Sequence, residues 1–257
     1  MTILTKLKPW YSLIGIGIFA VILLAVAPSI LTMHWVNNLG KYCAWAIVAV
    51  GIGLAWGRGG MLVMGQGVFF GLGAYAMAMH MTLETAGPDA LPGFMILYDP
   101  LAPLPAFWEP FRSPWFTLLA ILVLPIIVAG ILGFALFKRR VKGAYFAILT
   151  QALAVALAIW ISSTIRETGG DTGLSGFTSF FGYDLQDPAN QVMVYLITAS
   201  LLVVCMVVVW QLYRSRFGEL LLATRDAEER VRFLGYDPAN VKLAAFVIAA
   251  VMASVGG

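Results

Sequence analysis

RSRFGELLLATRDAEERVRFLGYDP, residues 214–238, is a charged amphipathic segment set between two runs that are long and apolar enough to lie in a bilayer. That contrast decides the fold: membrane on both sides, and between them a helix that meets something in water. Phe217, Leu220, Leu221, Thr224, Val231 and Leu234 recur at three- and four-residue spacing, which stacks them on one helical face. Glu219, Asp226, Glu229 and Arg230 fall largely off that stripe. The spacing predicts one helix over 214–234, stopped by Gly235 in a left-handed C-cap. Asp237-Pro238 reads as an N-cap and first-turn proline that start the next helix.

Of the 257 residues, 61% are hydrophobic and 11% charged, against about 25% charged in soluble domains. No soluble core buries so much apolar surface. The predicted class is an all-α integral membrane protein, a polytopic helix bundle. Cys43 and Cys205 lie in apolar runs, which is neither a disulfide framework nor a metal-binding spacing. Predicted spans fall near 11–31, 42–56, 61–81, 115–137, 144–162, 192–212 and 241–257. The first is read as an uncleaved span, because its apolar run exceeds that of a signal peptide.

With the N-terminus in the cytoplasm, inside segments carry Lys6, Lys8, Arg58, Lys138, Arg139, Arg140, Lys142, Arg214, Arg216, Arg225, Arg230, Arg232 and Lys242. That is 13 of the 16 basic residues, leaving Lys41, Arg112 and Arg166 outside. The positive-inside rule favours this orientation. The outer loop 83–113 is dense in proline, including Pro88 and Pro100, which forbids a long helix there. Trp108 and Trp115 read as interfacial anchors where that loop returns to the membrane.

The stretch GRGGMLVMGQGVFFGLGAY (57–75) lacks the GK[ST] of a phosphate loop and follows no strand, so it is not a nucleotide site. Gly53/Gly57 and Gly67/Gly71 are four-residue pairs that suit close helix packing. The alternative is a broken or re-entrant segment beside a cavity, with Gln66 placed to hydrogen-bond a solute. Span five opens GAYFAILTQALA (143–154); there Thr150 suits inter-helix bonding and Gln151 a pathway. No Asp, Glu, Lys or Arg falls within a predicted span, which disfavours an ion-coupled carrier or voltage sensor. His34 and His80, near outer span ends, read as interfacial histidines without partners. Residues 214–232 carry five basic and four acidic side chains, a balance suited to a protein groove rather than to anionic lipid.

MGQGVFFGLGAYAMAM, VKGAYFAILTQALA, the outer GG-x-x-G loop and SRFGELLLATRDAEERVRFLGYDP together resemble the permease subunits of the branched-chain amino acid and urea ABC importers, the LivM-like family. The resemblance runs from about Tyr42 onward. TQALA, RDAEERVRFLGYDP and YDLQDP are most similar to the urea-importing permease, whereas the outer GGDTG departs from its pattern of amides between the glycines. The resemblance implies a transport subunit, not an enzyme, without a cofactor or metal of its own. ATP is then bound by partner cytoplasmic ATP-binding subunits, beside a second homologous permease and an extracytoplasmic solute-binding protein, in a bacterial inner membrane; nucleic acid has no place in it. It implies that 214–234 is the coupling helix, with Gly218, Arg225, Asp226 and Glu229 serving ATPase coupling. Gln66, Tyr75, Thr150 and Gln151 are candidates for a urea path on their chemistry. Members of this family extend for several spans beyond residue 257, so a longer permease is expected. Other readings are a branched-chain amino acid or short-amide permease, a passive channel for a small neutral solute, and, least, an intramembrane enzyme, for which the spans lack a His, Asp or Ser constellation.

Overall fold

Two identical tetrapeptides, Asp187-Pro188-Ala189-Asn190 and Asp237-Pro238-Ala239-Asn240, each open a long helix. In both, the aspartate accepts the N–H of the alanine two residues on at 3.0 Å, and proline occupies the first turn. The computed structural model describes residues 3–87, 90–98, 103–141 and 143–257, without the side chains of 3–10 and Tyr98. The expectations on Pro88, Pro100 and Lys142, and on the Lys6 and Lys8 side chains, lie outside the described residues.

Nine helices carry the architecture: α1 (Ile3–Val21), α2 (Met33–Ile52), α3 (Gln66–Ala86), α4 (Pro114–Lys138), α5 (Ala144–Ser163), α6 (Pro188–Arg214), α7 (Arg216–Asp226), α8 (Glu228–Phe233) and α9 (Pro238–Gly256). Wider π-helical turns, Ile22–Val26 and Gly53–Arg58, extend α1 and α2. Six helical stretches are long and apolar enough to cross a membrane: Tyr11–Ile30, Met33–Arg58, Pro114–Lys138, Ala144–Ser163, Pro188–Arg214 and Pro238–Gly256. Helix α3 is more polar, carrying Gln66, His80 and Glu84, yet it packs within the bundle against α4 and α9. The molecule is an all-α polytopic membrane bundle.

Helix α9 is its centre, packed against α2, α3 and α4. Small residues allow the approach. A Cβ on Gly51 would lie 3.1 Å from the Ala249 carbonyl, one on Gly256 2.8 Å from that of Ala44, and one on Gly73 would overlap that of Ser254. Lipid tails are as apolar as leucine, so such contacts hold helices together by dispersion rather than by water exclusion. The glycines expected to pack, Gly53, Gly57, Gly67 and Gly71, have open space where a Cβ would stand. They sit on faces turned away from every described helix. Phe69, Phe137, Phe146 and Phe246 form an aromatic cluster with centroids 5.1–6.0 Å apart.

Connecting segments sort to two ends. At the basic end the stretch 57–60, the end of α4 and residues 214–237 meet, with Lys138 paired to Asp237. At the opposite end a short hairpin pairs Ser179–Phe180 with Tyr183–Asp184, and Glu84 accepts the Gly182 N–H above α3. Trp108 is fully buried there against Phe94. It is core beneath the proline-rich loop, not an interfacial anchor; Trp115 is exposed. His80 is likewise buried and partnered: its Nδ1 donates to the Phe111 carbonyl at 2.8 Å, and Nε2 lies 3.9 Å from Glu84.

Three further expectations change. Residues 214–234 are not one helix: Arg214 ends α6, Ser215 caps α7, and Ala227, at φ −151° and ψ 66°, breaks the chain before α8. The 57–75 stretch neither packs as one span nor dips and returns. It is non-helical over 60–65 and then runs straight on as α3. Helix α2 begins nine residues before the predicted span, so Lys41 lies inside it.

Candidate functional site

The basic end is built around Arg225. Its Nη1 donates to the Gly57 carbonyl at 2.7 Å, and its Nε donates to Asp226 at 2.8 Å. Gly60, at φ +64°, lies so close that a Cβ there would be 2.6 Å from Arg225 Cγ. This is one of the few positions where glycine is required twice over, by its dihedral and by its neighbour. Arg225 therefore ties α7 to the turn from which the non-helical 60–65 segment departs. A cavity of about 320 Å³, lined by Gly59, Phe146, Arg225, Glu228 and Lys242 among others, separates the two.

The other expected coupling residues divide by side. Gly218 is buried, and a Cβ on it would overlap the Leu212 carbonyl, so it permits the α6–α7 corner. Leu221, Thr224 and Val231 face the bundle as the stripe predicts, but Leu234 does not. Gly235 (φ +86°) stops α8, and Phe233, Leu234 and Tyr236 project outward, 88%, 75% and 55% exposed. Asp226 and Glu229 point to the same open side, Glu229 being 3.5 Å from Arg232. The element thus has an inward face that grips the bundle and an outward face of apolar knobs ringed by charge.

A network that sequence reasoning missed fixes α8. Glu228 accepts from Arg232 at 2.7 Å and from Lys242 at 3.0 Å, anchoring α8 to the first turns of α9. The Glu228/Arg232 spacing of four residues was the available signal; the Lys242 contact needed the tertiary fold.

Of the four path candidates, two come together. Gln66 starts α3 just beyond the 60–65 segment, 3% exposed, with neither amide atom bonded to a described residue. Thr150, also buried, lies beside the preceding Gly65, where a Cβ would be 2.9 Å from Thr150 Cβ. Its hydroxyl is spent on the Ala147 carbonyl at 3.0 Å. Tyr75 lies on the opposite face of α3 from Gln66, its hydroxyl 3.5 Å from the Thr168 carbonyl. Gln151 is exposed on the outer face of α5 and joins neither.

A second cavity, of about 450 Å³, opens toward the other end between α2, α6, α9 and the hairpin. Asn37, Lys41, Met77, Gln191, Thr198 and Ser254 are among its walls. Lys41 is the residue that sequence reasoning placed outside the spans. Among the described residues no cluster of His, Cys, Asp and Glu could hold a metal ion.

By fold and by these features the chain falls among polytopic membrane permeases. Residues 34–257 match the family described as branched-chain amino acid transport system / permease component, and the chain belongs to that family. It is similar to the high-affinity branched-chain amino acid transport system permease protein LivM of Escherichia coli (strain K12), 28% identical over 263 residues, covering 93% of this chain and 55% of the relative. LivM of Salmonella typhimurium is 27% identical over 265 residues, with the same coverage. The chain spans about half the length of these relatives. No solved structure matches it.

Proposed function

We propose that this chain is a permease subunit of an ATP-driven importer that carries urea across a bacterial inner membrane, with its N-terminus and basic end in the cytoplasm. ATP hydrolysis falls to separate cytoplasmic subunits docked on the outward face of α7 and α8. A second homologous permease completes the path, and an extracytoplasmic solute-binding protein delivers urea to the opposite end. The carrying observation is Arg225, whose guanidinium joins the docking element to the Gly57 carbonyl at 2.7 Å. Motion imposed on α7 reaches the 60–65 segment and Gln66 through that bond, which supports alternating access driven from outside the bundle.

Urea is favoured by Gln66. A primary amide presents one carbonyl acceptor and one NH₂ donor, and urea presents the complementary pair, so the buried unpaired amide suits it. A branched-chain amino acid is the second reading, supported by the printed names of the relatives. Uptake of labelled urea and labelled leucine into vesicles holding the assembled transporter separates them. ATP-dependent urea uptake is the expected result. Leucine uptake alone would select the second reading, and urea flux without ATP would select a passive channel.

A further inference from the structure

The 450 Å³ cavity holds a cation with no internal partner. Lys41 sits in the third turn of α2, about 12 Å along the helix from Met33. It forms no hydrogen bond or ion pair with any described residue. An ionisable side chain inside a membrane helix is costly and ordinarily finds a counter-charge or a polar path. Yet the residues lining this cavity include no aspartate or glutamate.

The remaining polar groups of the lining are already committed. Asn37 Nδ2 donates to Gln191 Oε1 at 2.8 Å, and Gln191 Nε2 donates to the Leu185 carbonyl at 2.9 Å. The hydroxyls of Ser254, Thr198 and Tyr195 donate to the carbonyls of Ile121, Val194 and Leu23. What stays open is the Lys41 ammonium and the Oδ1 of Asn37, one helical turn apart on the same face of α2. Around them the walls are apolar or small, with Gly40, Ala44, Gly73 and Met77.

We infer that Lys41 and Asn37 form a solute-binding site for a small neutral amide of the urea class. Lys41 donates to the solute carbonyl oxygen, and Asn37 Oδ1 accepts from a solute N–H. A zwitterionic amino acid fits less well, because its ammonium would stand beside Lys41 with no carboxylate in the lining to balance it. The site is distinct from Gln66, which lies near the other end of α3, and the inference rests on the importer reading above.

Urea uptake by the assembled transporter tests it, with Lys41→Met, Lys41→Gln and Asn37→Leu each checked for normal assembly by size-exclusion chromatography. Removing a charged donor is expected to raise the KM for urea about tenfold or more. Glutamine keeps a neutral donor, so Lys41→Gln should recover most of that loss, while Asn37→Leu should raise KM with a smaller change in maximal rate. A Lys41→Met transporter with wild-type KM for urea would overturn the site, leaving Lys41 as a cation that reaches the lipid interface. Wild-type transport of leucine and not urea would instead remove the importer reading's solute. In that case a leucine KM raised in Lys41→Met and not recovered in Lys41→Gln marks a carboxylate site and overturns the neutral-amide assignment.

Discussion

Gly73 and Gly71 differ by half a turn on one helix and face opposite worlds. At Gly73 a Cβ would overlap the Ser254 carbonyl of α9; at Gly71 it would meet nothing within 4 Å. The same holds for Gly51 against Gly53 on α2. Spacing marks which glycines share a face, but only packing says which face is the seam. In this bundle the seam is α9, and the regularly spaced pairs point away from it.

The largest expected effect breaks that contrast directly. Gly73→Ala forces two backbones apart in a part of the core made of helix against helix, at about 1–3 kcal/mol. Folded yield and thermal stability of the solubilised protein should fall clearly. Gly71→Ala should leave both within about 0.5 kcal/mol of wild type, since the new methyl meets no described atom. Equal behaviour of the two variants would mean that α9 does not seat on α3 as described. Impaired transport in a stable Gly71→Ala protein would instead reveal a second surface that packs on the open face.

Next in size is Arg225, which contrasts with Asp226 as inward grip with outward display. Arg225→Ala removes the bond to the Gly57 carbonyl and leaves the packing of Leu221 and Thr224 in place. Solute-stimulated ATP hydrolysis by the assembled transporter should drop about tenfold, with assembly retained. Phe233→Ala, on the exposed side, should weaken attachment of the ATP-binding subunits instead, read by co-purification. If Arg225→Ala hydrolyses and transports normally, force does not pass through the 57–60 turn.

Much of this architecture was legible because local rules fix it. Asp237-Pro238 declared a helix start, and Gly235 adopts the left-handed cap that its position implied. The amphipathic stripe of Leu221, Thr224 and Val231 faces the bundle as its spacing required. The break at Ala227 was not legible, since alanine favours helix and the kink answers to contacts of Glu228 with Lys242 on another helix. Lys41 escaped notice because hydropathy begins a span where charge ends, whereas α2 starts eight residues earlier and carries its lysine inward. Gln66 was legible as a candidate by chemistry alone, while Tyr75 and Gln151 show that chemistry without helical phase scatters a site.

The smallest expected effect concerns the pair that fastens the two halves of the basic end, Lys138 on α4 and Asp237 at the start of α9. The hydrogen bond from Lys138 is the main cause holding the Asp237 carboxyl below its ordinary value of 3.8, aided by the Ala239 N–H and the charge of Arg232 and opposed by partial burial. A depressed carboxyl contributes stability above its unfolded pKa and loses it as pH falls through the folded one. Between neutrality and about pH 4 the contribution is therefore constant, and it declines below that. Both partners are near the surface, so the ion pair is worth less than about 1 kcal/mol. Asp237→Asn keeps the N-cap and removes the charge; Asp237→Ala removes both and should cost about 1 kcal/mol more. Thermal unfolding of the solubilised protein from pH 7 to pH 3 should bring wild type and Asp237→Asn together at the acid end. A gap between them that widens with acid would assign the pair's contribution to something other than the Asp237 charge.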